Sequence, residues 1–296
     1  MNLAGVFSPI PTPFDDRDRV DTARLKAALG KWITKPLHGF VVLGSNGEAA
    51  LMDDVECDQA IAAARDAIPR DKLLIAGTGR ESTGATIKAT KRAAEQGVDA
   101  VLVRTPGFFK SQMTNDVFVR HYTAVADASP VPVLLYNFTA VTGVNLQPAA
   151  VARLATHPNI IGMKESGGDV AHVADLVSLT PDDFIVLAGA AGTLYPMMCV
   201  GAAGGILALA NALPEPCVRL FELARDGKHA DAIKLQRELV PVARLLGATH
   251  GVPGLKAALN LLGYDVGAPR LPLLPLPESI IPALRDALAR FEEIPA

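Results

Sequence analysis

Cysteine and net charge are both scarce in this sequence of 296 residues. Only three cysteines occur, Cys57, Cys199 and Cys217, and no two of them have the CxxC spacing. Such sparse, irregular thiols indicate a reducing compartment and argue against a disulfide framework. The formal net charge is −3, so the chain lacks the basic surface that binds nucleic acid or anionic lipid. We therefore expect neither nucleic acid nor a membrane among its partners.

Long hydrophobic segments are missing as well. The first residues do not combine a basic region with an apolar run, as a secretory signal would. The longest stretch of small apolar residues, 197–213, is interrupted by three glycines and an asparagine and is too short to span a bilayer. These absences predict a cytoplasmic protein.

Motifs for metals and organic cofactors are absent too. The six histidines have neither the HxxxH nor the HExxH spacing of zinc ligands, and paired aspartates stand only at turns or helix starts. No glycine-rich phosphate motif follows the first predicted strand, and no GxSxG nucleophile motif occurs. The sequence therefore predicts no metal and no cofactor.

The sequence is rich in short apolar runs that alternate with segments of helical spacing. The runs lie at 5–10, 40–43, 73–77, 100–103, 132–136, 160–164, 184–189 and 205–209. Runs without polar alternation are typical of parallel strands that are covered on both faces. One helical segment begins at a capping box of Asp53 and Glu56, and another ends at Gly97. Eight such repeats predict a (β/α)8 TIM barrel rather than a doubly wound sheet, which would need the glycine fingerprint.

The last quarter of the chain has a different pattern. After about residue 225 no strand-like run occurs, and helical spacing is found at 230–246, 255–262 and 278–291. We therefore predict a barrel that carries the active site over residues 1–225 and a C-terminal helical extension over residues 226–296.

Chemistry in such a barrel is expected at the carboxyl ends of the strands. Lys164 ends the sixth apolar run. Loss of solvation at a barrel mouth disfavours an ammonium, and the free amine can attack a carbonyl to form a Schiff base. The alternative is a lysine that points outward to pair with Glu165 or Asp169.

Two further strand ends carry candidate groups. Tyr136 ends the fifth run and could exchange protons near a Schiff base, although a core tyrosine bonded to the backbone is the alternative. The turn 44–48, Gly-Ser-Asn-Gly-Glu, offers N–H groups and short polar side chains that suit a carboxylate or phosphate. An ordinary turn that caps its helix is the alternative there.

Nearly the whole chain resembles the pyruvate-dependent class I aldolases of the dihydrodipicolinate synthase and N-acetylneuraminate lyase family. The shared motifs are Pro-Thr-Pro-Phe at 11–14, the turn 44–48, Tyr-Asn at 136–137, Gly-Met-Lys-Glu-Ser at 162–166 and Gly-Gly-Ile at 204–206. The resemblance implies a homo-oligomer, a tetramer or a dimer, that uses a 2-oxo acid and an aldehyde.

The resemblance also implies roles for individual residues. It implies that Lys164 forms a Schiff base with pyruvate and that Tyr136 relays the proton. Ser45 and Asn46 would hold the pyruvate carboxylate, and Ile206 would line the site through its carbonyl oxygen.

Within the family, the chain is most similar to 4-hydroxy-2-oxoglutarate aldolase, through the motifs at 164–169 and 208–211. That similarity adds Ser166 as a substrate contact. Two positions depart from the synthase: Val141 stands where it has a substrate-binding arginine, and Phe108 and Phe109 stand where it has paired tyrosines.

Four functions remain open at this point. The first is cleavage of a 4-hydroxy-2-oxo acid to pyruvate and an aldehyde such as glyoxylate, by a carbon–carbon lyase. The alternative is a dihydrodipicolinate synthase, which condenses pyruvate with aspartate semialdehyde. A lyase or dehydratase of 2-keto-3-deoxy sugar acids is third, and a 2-oxo-acid sensor without turnover is the non-enzymatic alternative.

Overall fold

The computed structural model describes residues 1–291 and 294, and these form a closed TIM barrel of eight parallel strands in chain order. The strands are β1 (Gly5–Pro9), β2 (Gly39–Val42), β3 (Leu73–Gly77), β4 (Ala100–Arg104), β5 (Val133–Asn137), β6 (Ile160–Glu165), β7 (Ile185–Ala188) and β8 (Gly204–Ile206). The predicted fold is confirmed. The last strand is shorter than the predicted run 205–209, because a 3-10 helix follows at Ala208–Asn211.

Helices surround the barrel and continue beyond it. They are α1 (Thr22–Trp32), α2 (Asp54–Ala67), α3 (Thr83–Glu95), α4 (Asn115–Ala128), α5 (Thr139–Thr142), α6 (Pro148–Leu154), α7 (Val170–Leu179), α8 (Leu194–Cys199), α9 (Pro214–Arg225), α10 (His229–Arg244), α11 (Gly251–Leu261) and α12 (Ile281–Leu288). The capping box before α2 is present, with Asp53 and Glu56 each accepting from the other's backbone N–H. The apolar spacing assigns no range to α1 and α9, although both complete a βα repeat.

Large side chains fill the inside of the barrel. Phe7, Ile75, Leu134 and Leu187 are buried there in one cluster, with Tyr136 above them. Filled layers of this kind close the lower part of a TIM barrel, so the reaction space lies at the carboxyl ends of the strands. A second apolar layer, which includes Trp32, packs between the strands and the helices.

The chain after residue 225 is helical, with α10, α11 and α12. The predicted helix 230–246 ends earlier, and a π-helical turn at Leu245–Thr249 leads into α11. The end of the predicted extension, residues 292, 293, 295 and 296, lies outside the described residues. Among the helices described, none combines the length and the apolar character that crossing a bilayer requires.

Candidate active site

A buried lysine and a buried tyrosine meet at the mouth of the barrel. Tyr136 of β5 and Lys164 of β6 are partners in the sheet register. The Lys164 Nζ lies 3.4 Å from the Tyr136 hydroxyl and 4.4 Å from the centre of its ring. Lys164 is only 4% exposed, so the alternative of an outward, solvated lysine is wrong.

Ser45 extends this pair into a chain of three polar groups. Its Oγ lies 3.2 Å from the Tyr136 hydroxyl. The tyrosine hydroxyl therefore contacts two side chains that can exchange protons with it, whereas a purely structural tyrosine would bond to the backbone. Lys164, Tyr136 and Ser45, predicted separately from three strand ends, lie together in the fold.

The loop that carries Ser45 has an unusual backbone. Leu43 and Glu48 have φ values of 55° and 57°, in the left-handed region that residues with a side chain rarely adopt. A Cβ on Gly77 would lie 1.9 Å from the Leu43 carbonyl oxygen, so only glycine fits on β3 beside this loop. Two of the turn's N–H groups, those of Gly47 and Glu48, bond within the turn. The turn is thus partly an ordinary βα turn.

Contacts with the C-terminal region fix this loop. The Glu48 carboxylate is buried, with one oxygen 2.6 Å from Lys256 Nζ and the other accepting from the Arg270 backbone N–H at 2.8 Å. Burial lowers the pKa of Lys256, and the adjacent Glu48 charge opposes that change. Arg270 in turn forms a bidentate pair with Glu56. Motif analysis missed these contacts, because they join segments far apart in the sequence.

The other predicted site residues are less closely engaged. Asn46 is half-buried beside Ser45. The Ser166 Oγ is buried without a hydrogen-bond partner among the described residues, and it fits only because Gly189 has no Cβ. Ile206 is buried at the end of β8, in the same interior cluster as Tyr136.

Sequence reasoning also missed a buried carboxylate directly after Lys164. Glu165 accepts a hydrogen bond from Asn137 Nδ2 at 2.8 Å, and the His172 Nε2 lies 3.4 Å from the same oxygen. The hydrogen bond and charge of Glu165 raise the pKa of His172 against the effect of burial. The available signal was a charged residue that directly follows the apolar run 160–164 and lies within β6. This group holds the strand ends on either side of the lysine–tyrosine pair.

A cavity of about 900 Å³ adjoins Ser45 and Tyr136. Its wall also includes Phe108, Lys110 and Val141. Phe108 and Phe109 contact each other edge to face and are 77% and 68% exposed. The described residues contain no group of three potential metal ligands, and the expectation that no metal takes part stays a prediction.

The comparisons with known proteins agree with this geometry. Residues 2–291 match the model of the dihydrodipicolinate synthetase family. The chain belongs to this family. Its members are pyruvate-dependent lyases and condensing aldolases that work through a lysine Schiff base, so the predicted family and the predicted carbon–carbon lyase class are confirmed.

Relatives and solved structures cover essentially the whole length. A 4-hydroxy-tetrahydrodipicolinate synthase of Exiguobacterium is 36% identical over 292 residues, 99% of each chain. One from Xanthomonas axonopodis is 38% identical, over 98% of this chain and 94% of the relative. A dihydrodipicolinate synthase of Bacillus anthracis superposes with a TM-score of 0.94 at 30% identity, over 99% of this chain and all of that chain. One from Acinetobacter baumannii, solved with pyruvate, gives 0.92 at 31%, over 97% and 98%.

Proposed function

We propose that the protein is a pyruvate-dependent aldolase in which Lys164 forms the Schiff base. The proposal rests above all on the 3.4 Å approach of a buried amine to the Tyr136 hydroxyl at the barrel mouth. The pyruvate present in the structure of the Acinetobacter baumannii enzyme supports the choice of 2-oxo acid. Family membership favours this enzyme over a sensor without turnover.

The chemistry of the first half-reaction follows from the three polar groups. The Lys164 amine attacks the 2-oxo carbon of pyruvate, and the carbonyl oxygen takes up a proton to give a carbinolamine. Loss of that oxygen as water leaves an iminium, and removal of a proton from C3 then converts the iminium into an enamine. Tyr136, with Ser45 as its hydrogen-bond partner, is placed to donate and recover the proton. Ser45 and Asn46 would bind the pyruvate carboxylate.

For the second half-reaction, the comparisons favour the alternative over the first expectation. The relatives described above carry the name 4-hydroxy-tetrahydrodipicolinate synthase. We therefore infer that condensation of pyruvate with aspartate semialdehyde is the first activity to test. In that reaction C3 of the enamine forms a bond to the aldehyde carbon, the aldehyde oxygen takes a proton from Tyr136, and the Lys164 iminium re-forms and is then hydrolysed to free the lysine.

One observation favours the other candidate, the cleavage of a 4-hydroxy-2-oxo acid. Val141 lines the cavity with an apolar, 62% exposed side chain. The resemblance gives the synthase an arginine there, and a charge-assisted contact of that kind contributes about 1.5–3 kcal/mol. Breaking the C3–C4 bond of a 4-hydroxy-2-oxo acid uses the same iminium, with the C4 hydroxyl proton passing to Tyr136. Cleavage of a 2-keto-3-deoxy sugar acid has no separate support.

The decisive experiment traps the imine. The protein is incubated with pyruvate and borohydride, and peptide mass analysis should find a reduced pyruvyl group on Lys164. Lys164→Met is the control and should carry no adduct. An adduct at another lysine, or none, contradicts the proposed mechanism.

The two candidate reactions are then compared on the same preparation of the protein. Pyruvate release from 4-hydroxy-2-oxoglutarate is followed with lactate dehydrogenase, and pyruvate consumption is measured with aspartate semialdehyde. The larger kcat/KM identifies the reaction. The homo-oligomeric state and the cytoplasmic location stay predictions.

A further inference from the structure

The cavity beside Tyr136 extends well beyond the space that pyruvate needs. It has about 900 Å³ and reaches from Ser45 to Lys110 and Val141. A second reactant therefore has room to bind along the wall that Lys110 and Val141 form. The groups on that wall decide which reactants are held there.

The charged groups on the cavity wall are, with one exception, already paired. They are Glu48, Arg80, Glu81, Arg104 and Lys110. Glu48 pairs with Lys256 at 2.6 Å, Arg80 with Asp54 at 3.2 Å, and Arg104 with Glu81 at 2.6 Å. The Lys110 side chain has no hydrogen bond or ion pair with any residue that the structure describes. Its ammonium is the uncompensated charge on this wall.

Packing of two loops places this ammonium. A Cβ on Gly107 would lie 2.6 Å from the Thr142 carbonyl oxygen, so the loop after β4 lies directly on the loop after β5. A Cβ on Gly143 would lie 2.7 Å from the Lys110 Nζ, and Gly143 has a φ of 69° that favours glycine. The missing side chain thus leaves room for the lysine to lie along the segment that follows Tyr136.

We propose that Lys110 binds a carboxylate of the reactant. This carboxylate is at the opposite end of the reactant from the carbonyl group that reacts. The inference rests on the proposed Schiff base at Lys164. The carbon chain of the reactant then lies along the apolar Val141 side chain, and the Lys110 ammonium pairs with the remote carboxylate. Lys110 is accordingly a specificity-determining residue that selects acidic over neutral reactants.

The test compares 2-oxo acids that differ only in the remote group. Borohydride-trapped imine on Lys164 is titrated with 2-oxoglutarate and 2-oxoadipate, which carry a remote carboxylate, and with 2-oxopentanoate and 2-oxohexanoate, which do not. Lys110→Met should raise the half-saturating concentration of at least one diacid about ten- to a hundredfold, because it removes a charge-assisted contact. The values for pyruvate and the two monoacids should not change.

Two variants separate charge from structure. Lys110→Arg should keep the preference for the diacid, and Lys88→Met, which removes an exposed lysine of α3 outside the cavity, should behave as the unmodified protein. The inference is overturned if Lys110→Met changes diacids and monoacids equally, or if neither diacid forms an imine while pyruvate does. Failure of pyruvate itself to form an imine contradicts the proposed function instead.

Discussion

Two buried tyrosines of this barrel use their hydroxyl groups in different ways. Tyr122 donates to the Val103 carbonyl oxygen at 3.2 Å, and burial raises its pKa. Tyr136 contacts Ser45 Oγ and Lys164 Nζ, and neither contact is to the backbone. Both residues lie in apolar segments of the sequence, so the surrounding composition does not distinguish the structural tyrosine from the one that we propose to be catalytic.

Removal of each hydroxyl should therefore have a different effect. Tyr136→Phe should lower kcat at least about a hundredfold with a smaller change in KM, because proton transfer by a placed group contributes about that much. Imine formation should remain detectable. Tyr122→Phe is the matched control and should lower the free energy of unfolding by about 1 kcal/mol with little effect on kcat. Steady-state kinetics and thermal melts of both variants measure these effects. A folded Tyr136→Phe variant that keeps more than a tenth of the kcat of the unmodified protein contradicts the proposed role.

The cavity wall at Val141 allows a gain-of-function test. Val141→Arg, made together with Lys110→Met so that the proposed carboxylate ligand is absent, should raise kcat/KM for aspartate semialdehyde by about one to two decades over Lys110→Met alone, because an arginine can bind the carboxylate through charge-assisted hydrogen bonds. Val141→Met adds length without charge and should leave kcat/KM nearly unchanged. No gain from the arginine when Lys110 is absent would show that the wall at Val141 does not face the carboxylate of aspartate semialdehyde.

At the scale of elements, α3 and α4 meet at a buried histidine. His121 of α4 is hydrogen-bonded through Nδ1 to Thr83 Oγ1 at 2.9 Å, and its Nε2 has no partner among the described residues. Burial lowers the pKa of His121 from 6.5 to about 4, although the charge of Glu81 opposes the change. The contact between the two helices thus depends on a neutral imidazole.

This contact should make stability depend on pH. Between pH 6.5 and about 4 the unfolded chain binds a proton that the folded chain excludes, so stability falls as the pH falls through this window. The full effect is about 3 kcal/mol. The stability of the unmodified protein relative to His121→Asn should fall by that order from pH 7 to 4 in urea titrations. His250→Gln should follow the unmodified protein, and parallel curves for His121→Asn would contradict the assignment.

The elements differ in how far the sequence predicts them. The strands are predicted well, because burial on both faces produces apolar runs that need no knowledge of the partner strand. The start of α2 is also predicted, because the Asp53–Glu56 capping box is local. The contacts of Glu48 and Glu165 are not, because a buried charge depends on partners that the fold supplies. Lys110 gives no signal at all, since its isolation from counter-charges is a property of the folded cavity wall.

At the scale of the whole molecule, a buried ion pair joins the loop after β2 to the helical region that follows the barrel. The side chains of Glu48 and Lys256 are 0% and 1% exposed, and the Lys256 ammonium also donates to the Thr12 and Ala268 carbonyl oxygens. Removal of the Lys256 ammonium leaves the buried Glu48 carboxylate without a counter-charge, which costs far more than the loss of an exposed ion pair.

Lys256→Met should therefore lower the free energy of unfolding by about 3–5 kcal/mol. The double variant Glu48→Gln with Lys256→Met should regain part of this loss, because no unpaired charge is then buried. Lys228→Met, at an exposed position, is the control and should change stability by less than about 0.5 kcal/mol. Urea unfolding measures all three, and equal stability of Lys256→Met and the control would contradict the importance of the pair.

This ion pair also sets an order of events during synthesis on the ribosome. The last barrel strand is complete once Ile206 has been made. Lys256 and Arg270, which are the partners of Glu48, are made later. Until they emerge, the Glu48 carboxylate has no counter-charge from Lys256, and the loop that presents Ser45 is held by its own hydrogen bonds and that of Thr12. A nascent chain with all eight strands therefore still lacks two of the residues that fix this loop, and they are complete only when Arg270 has been made.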